Sequence, residues 1–185
     1  LSITEDSLGA DHPDTGNRLN NLASVVHSLG RREEATSLFY RALAIFRGAL
    51  DRDHPTLIAC ADNVCFMHEE NSEDDKAEVI YRAVLKSSGA TSKSKNKNIA
   101  TIRLSLGNLL RRNRRYAEAE KELLQAVSIG ERIEFCEPFI SLADLRIEQK
   151  RYSDAVKLLK RCLQIRRKKL NLSDSIIKDT VQKLA

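Results

Sequence analysis

The sequence predicts an all-α solenoid, a right-handed superhelix of antiparallel helix pairs, on three observations. Small residues recur on a fixed period: Ala35, Ala77 and Ala119 are 42 residues apart, and Ala155 follows 36 later. Around each, apolar residues are spaced by 3, 4 and 7, which places them on one face of a helix. Three prolines and seven glycines in 185 residues leave room for long helices. Aromatics make up only 5%, with no Trp, which disfavours an all-β sandwich or a module that stacks bases.

The elements follow in order. "LSITEDSLGA" (1–10) lacks the basic start and apolar middle of a signal peptide. Leu1-Ser2-Ile3 stands 42 before Leu43-Ala44-Ile45, so this segment is expected to close a preceding helix B, and the chain to be a piece of something longer. Repeat 1 (11–52) holds "LNNLASVVHSLG" as helix A and "RREEATSLFYRALAI" as helix B. Repeat 2 (53–94) holds "ADNVCFMHEENS" and "SEDDKAEVIYRAVLK". Repeat 3 (95–134) holds "LSLGNLLRRNR" and "RRYAEAEKELLQAVSI", and repeat 4 (135–170) holds "ISLADLRIEQK" and "KRYSDAVKLLKRCLQI". Leu184-Ala185 lies 42 after Leu142-Ala143, so 171–185 is expected to be helix A of a following repeat or cap.

In every helix A a bulky residue precedes a small one: Leu22–Ala23, Val64–Cys65, Leu106–Gly107 and Leu142–Ala143. The small residue is always 12 before the alanine of helix B (Ala35, Ala77, Ala119, Ala155). Four after that alanine stands a large residue (Phe39, Tyr81, Leu123, Leu159), and seven after it a smaller one (Ala42, Val84, Ala126, Cys162). Small residues opposite large ones let two antiparallel helices approach and interlock.

Asp-His-Pro occurs twice, at 11–13 and 53–55, again 42 apart. Pro13 and Pro55 suit a first helical turn, where the missing N–H would be unpaired anyway. Asp11, Asp14 and Asp53 favour the positive end of the helix dipole. His12 and His54, each before a proline, are pushed out of helical conformation and end the loop. Two histidines in successive repeats are displaced along the stack and do not converge on one reaction centre. Repeat 3 enters instead through "SSGATSKSKNKN" (87–98), an expected exposed loop with Asn96 or Asn98 as helix cap.

These spacings resemble the tetratricopeptide repeat (TPR), whose units are usually shorter. The stretch "LNNLASVVHSLGRREEATSLFYRALAIFRGALDRDHP" (19–55) resembles the longer repeats of kinesin light chains and related adaptors. His68 and Arg146 depart from that pattern, where Tyr or Leu is usual, and the light chain's coiled coil is not in this sequence, so motor association stays open. The resemblance implies a non-enzymatic adaptor or scaffold that binds a peptide or helical segment in a concave groove lined by A helices, with kinesin-light-chain-like cargo recognition as its finer form. Residues two before, two after and five after the packing residue are expected to face that groove.

They are Asn20, Ser24 and His27 with Asn17 one turn earlier, then Asp62, Phe66 and Glu69, then Leu104, Asn108 and Arg111, and finally Ile140, Asp144 and Ile147. Asn21 and Asn63 match groove asparagines of the family that can bond a peptide backbone, since Asn donates and accepts without a charge to desolvate. They can equally tie adjacent repeats together. Arg111, Arg112 and Arg103 are expected to clamp carboxylates of an acidic peptide.

The formal charge is +5, and no Asp or Glu lies between Val79 and Ala117. Nucleic-acid binding through the basic 82–115 stretch is disfavoured by the scarcity of aromatics and by the acidic "EENSEDDKAE" (69–78) beside it. No P-loop pattern occurs, so a regulatory or sensor segment would draw its activity from elsewhere in a larger protein. Cys60, Cys65, Cys136 and Cys162 show no metal spacing and are expected to be buried and reduced, consistent with a cytoplasmic setting. No apolar run is long enough for a membrane span. Catalytic residues, metal and cofactor are therefore expected to be absent, the partner to be protein, and self-association through exposed end faces is left open.

Overall fold

The computed structural model describes residues 9–89 and 96–169. Among these are eight helices: α1 (Pro13–Ser28), α2 (Arg32–Ala49), α3 (Pro55–Glu70), α4 (Asp74–Ser87), α5 (Lys97–Arg112), α6 (Tyr116–Ile133), α7 (Glu137–Glu148) and α8 (Tyr152–Lys169). The chain divides into two compact units, Leu1–Gly89 and Ala90–Ala185. In the first, α1 pairs with α2 and α3 with α4, and α3 also packs on α2. In the second, α5 pairs with α6 and α7 with α8, and α7 also packs on α6. Of the expected helix before repeat 1, the entry loop of repeat 3 and the helix after repeat 4, residues 1–8, 90–95 and 170–185 lie outside the described residues.

The A helices start as their first residues dictate. Pro13 and Pro55 stand in first turns, and His12 and His54 are extended N-caps. Each imidazole does more than end a loop: His12 Nδ1 accepts from the Asp14 N–H and His54 Nδ1 from the Thr56 N–H, both at 3.2 Å. Ring nitrogens thus fill the role that Asp or Ser usually plays at this position. In α5, Asn96 Oδ1 accepts from the Asn98 N–H at 2.9 Å, so Asn96 and not Asn98 is the cap.

The turn from helix A to helix B is the same four times. Gly30, Ser72, Arg114 and Lys150 occupy equivalent positions, all with positive φ (80°, 60°, 59° and 61°). The N–H after each reaches back to the last turn of helix A: Arg31 to Val26, Glu73 to His68, Arg115 to Leu110 and Arg151 to Arg146. Helix C-termini end this way with the left-handed residue that glycine adopts most readily. Only repeat 1 has glycine there.

The small-residue rows meet as expected. Ala23, Cys65, Gly107 and Ala143 are buried, as are Ala35, Ala77, Ala119 and Ala155. Phe39, Tyr81, Leu123 and Leu159 fill the facing row. Cys65 Sγ donates to the Ala77 carbonyl at 3.6 Å, which fixes α3 against α4 at those two positions. At Gly107, a Cβ would stand 2.7 Å from Leu123 Cγ, so the α5–α6 approach needs the missing side chain. A Cβ on Gly130 would lie 2.6 Å from the Phe135 carbonyl oxygen, in the link that leads into α7.

The fourth residue after each packing position is also buried: Val26, His68, Leu110 and Arg146. The two departures from the family pattern are therefore polar groups inside the stack, and both are satisfied. His68 Nε2 meets the Tyr40 hydroxyl at 2.5 Å and His68 Nδ1 meets Glu73 Oε2 at 2.7 Å. Arg146 donates to Glu120 Oε1 at 2.6 Å and to Gln149 Oε1 at 3.0 Å. In each case the side chain bridges the preceding helix B and its own following turn.

Replacing Lys150 with Gly is expected to raise stability by about 0.5–1 kcal/mol, because glycine relieves the left-handed strain. Gly130→Ala is expected to lower it by about 1–3 kcal/mol, since backbone must shift to admit the methyl; urea denaturation of both variants checks the pair. The Arg146 guanidinium holds the Glu120 carboxyl below its ordinary value of 4.5. A depressed carboxylate contributes stability above its unfolded pKa and loses it as pH falls through the folded one. The denaturation midpoint of Glu120→Gln is thus expected to fall less steeply below about pH 4.5 than that of the parent, and identical acid limbs would contradict this.

Candidate functional site

Once helix A packs by its bulky and small residues, the residues two before, two after and five after them are left at the margin of the buried face. All twelve are half-buried or exposed. The first unit presents Asn20, Ser24 and His27 on α1 and Asp62, Phe66 and Glu69 on α3, with Asn17 and Asn21 exposed beside them. Asn63 donates its amide to Asn20 Oδ1 at 3.0 Å. His27 Nε2 meets Glu70 Oε2 at 2.6 Å, and its ring lies edge-on to Phe66 with centroids 5.7 Å apart. Phe66 keeps 49% of its surface exposed, and Val25 on α1 and Leu29 just after it are exposed. Glu69 accepts from the Tyr81 hydroxyl at 2.7 Å.

Asn63 therefore does what a repeat-linking residue does, but its partner is Asn20, whereas Asn21 stays in solvent. Half of the amide chemistry at Asn20 and Asn63 is used internally. Each still has groups to offer, because an amide carries two donors and an acceptor with two lone pairs.

The second unit presents Leu104, Asn108 and Arg111 on α5 and Ile140, Asp144 and Ile147 on α7. Asn108 Oδ1 and Arg111 Nε are buried and make no hydrogen bond among the described residues. Arg111 gives an N–H to Glu148 Oε1, so a partner's carboxylate would have to compete with that side chain. Arg112 is exposed at the end of α5 and already has an interaction within the chain.

The three-arginine clamp needs correction at Arg103. This residue is only 6% exposed and donates to Glu122 on α6, itself buried. The signal was in the spacing: Arg103 lies four before Gly107 and Glu122 three after Ala119, on the faces that meet. Two contacts between successive A helices lie beyond what single-residue spacing shows. His27–Glu70 and Arg111–Glu148 are equivalent pairs, each joining the fifth residue after one packing position to the sixth after the next.

The four histidines make contacts within the fold. His12 and His54 cap helices, and His27 is held by Glu70. Tyr40, His68 and Glu73 form a chain of the nucleophile–base–orienter kind, but burial raises the Tyr40 hydroxyl above its ordinary 10.0, the opposite of activation. Among the described residues no group of three His, Cys, Asp or Glu could hold a metal, and no helix is long and apolar enough to cross a membrane.

Comparison with known proteins agrees with the repeat fold. Residues 15–56 and 99–134 match a family model described as tetratricopeptide repeat, and residues 137–173 match one described as SHNi-TPR. No curated protein matches the sequence significantly. Among solved structures, BtubC (BKLC) from P. vanneervenii is similar with TM-score 0.76 and 21% identity, over 91% of this chain and 69% of that one. A putative kinesin light chain from Podosopora anserina with nearly identical TPR-like repeats has TM-score 0.68 and 21% identity, over 86% and 78%. RapI in its apo form has TM-score 0.78 and 18% identity, over 99% of this chain and 49% of its own. At these identities the likeness shows the fold.

Removing one partner of a buried ion pair strands the other charge, at about 3–5 kcal/mol. Glu122→Ala is expected to lower stability by that order, and the double change Arg103→Met, Glu122→Leu to recover most of the loss. Calorimetric midpoints test this. A mild Glu122→Ala would mean that Arg103 reaches solvent.

Proposed function

This chain is a tetratricopeptide-repeat array, and from that premise we propose that it is a non-enzymatic scaffold binding a peptide or helical segment of a protein partner on the exposed faces of its A helices, α1 and α3 in the first unit and α5 and α7 in the second. The observation that carries the proposal is Phe66, a half-exposed aromatic ring on α3 flanked by the Asn20–Asn63 amides and His27. An aromatic anchor beside uncharged hydrogen-bonding groups suits a peptide with an apolar side chain and an exposed backbone. In the second unit, Leu104, Ile140 and Ile147 supply apolar contact, and Arg112 favours a carboxylate. An acidic peptide suits Arg111 as well, if its carboxylate displaces Glu148.

Kinesin-light-chain-like cargo recognition, as a cytoplasmic adaptor, is the finer form of this reading. The Leu19–Ala23 pattern and the structural likeness to a putative kinesin light chain support it. Protein is favoured over nucleic acid because four arginines of the basic stretch already face carboxylates of this chain. Arg82 pairs with Glu78, Arg103 with Glu122, Arg111 with Glu148 and Arg115 with Glu118.

Phe66→Ala is expected to weaken a captured partner at least about tenfold, as removal of an interface anchor does. Arg111→Glu with Arg112→Glu is expected to weaken an acidic partner at low salt and less at high salt. Lys121→Ala, on the outer side of α6, is the control. Titration calorimetry on the purified pair measures all three, and unchanged affinity in both groove variants would remove the basis of the proposal.

A further inference from the structure

We propose that Cys136 and Cys162 form a redox-sensitive dithiol that hydrogen peroxide closes to a disulfide, fastening the start of α7 to α8. Cys136 is the N-cap residue of α7 and Cys162 lies in the middle of α8. Cys136 Sγ donates to the Cys162 carbonyl at 3.6 Å, and both side chains belong to one apolar cluster with Phe139 and Ile165. The Cys136 sulfur thus lies against the backbone of the very residue whose side chain it would join, in one shared apolar cluster.

The other two cysteines show what an unsuitable pair looks like. Cys60 and Cys65 both lie on α3 but aim at different helices. Cys60 donates to the Phe39 carbonyl on α2 at 3.7 Å and Cys65 to the Ala77 carbonyl on α4 at 3.6 Å. Burial pushes Cys60 up to about 12 and raises Cys65 as well, so neither supplies thiolate. Cys136 behaves oppositely. Its contact with Cys162 and the Arg166 charge on α8 bring it down, against burial and the Glu137 carboxylate, while Cys162 is raised. Cys136 is thus the attacking sulfur and Cys162 the resolving one. Cys136 is also the more accessible of the two, 6% exposed against 0% for Cys162, and follows the non-helical Glu134 and Phe135.

The chemistry balances in two steps. The Cys136 thiolate attacks one peroxide oxygen, the O–O bond breaks, and the departing hydroxide takes a proton to become water, leaving a sulfenic acid. The Cys162 sulfur then attacks the Cys136 sulfur as its thiol proton leaves, the S–O bond breaks, and a second water departs. Two thiols lose two electrons and peroxide gains them. The product ties residues 26 apart and holds α7, which carries Ile140, Asp144 and Ile147, against α8.

The test uses the 185-residue protein, fully reduced, treated with stoichiometric hydrogen peroxide, then alkylated and mapped by mass spectrometry. The expected result is a Cys136–Cys162 disulfide with Cys60 and Cys65 still alkylated. A rise of at least about 5 °C in the thermal midpoint is expected, reversed by dithiothreitol. Cys162→Ser treated with peroxide and dimedone is expected to carry the dimedone adduct on Cys136. Oxidation of Cys60 or Cys65 at the same rate, or a Cys136 that stays reduced in the parent protein, would overturn the proposal.

Discussion

Close approach of two helices along rows of small side chains is the constraint from which the rest follows. Ala23, Cys65, Gly107 and Ala143 on the A helices face Ala35, Ala77, Ala119 and Ala155 on the B helices, all buried. At Gly107 even a methyl group would strike Leu123. Such rows fix the rotation of helix A about its own axis, because any other rotation drives larger side chains together. Once rotation is fixed, so is the strip left at the margin. Phe66 and Ile147 stand exposed because Cys65 and Ala143, the residues that pack, do not.

Polar groups decorate this frame in ways that repeat position explains. The residue before each helix B pairs with the residue three later: Arg31–Glu34, Glu73–Lys76, Arg115–Glu118 and Arg151–Asp154. In repeat 2 the charges are exchanged and the pair survives. That exchange also suits His68, whose ring nitrogen needs the Glu73 carboxylate where Arg146 uses Gln149 and Glu120. Exposed pairs of this kind contribute little each. The buried ones matter through the penalty of leaving a partner unsatisfied.

The apolar frame was legible in the sequence because it is a matter of period and size. Spacings of 12, 4 and 7 from Ala35, Ala77, Ala119 and Ala155 place each small and large residue without knowledge of neighbours. The polar contacts were legible only in part. Arg103 was taken for a groove cation because it sits in a basic run, although its distance of four from Gly107 puts it on the packing face. The imidazole caps of His12 and His54 depend on side-chain rotation that spacing does not fix. Asn20–Asn63, His27–Glu70 and Arg111–Glu148 join different repeats, so they depend on how far one helix A is displaced along the next.

The central claim is that the margin of helix A, and not the outer side of helix B, meets the partner. A photoreactive amino acid placed at Ser24 on α1, and separately at Ser37 on α2, tests it within one unit, since both positions are exposed. The account predicts partner crosslinks from position 24 and few or none from position 37. Crosslinks of equal yield from both, or from position 37 alone, would contradict it.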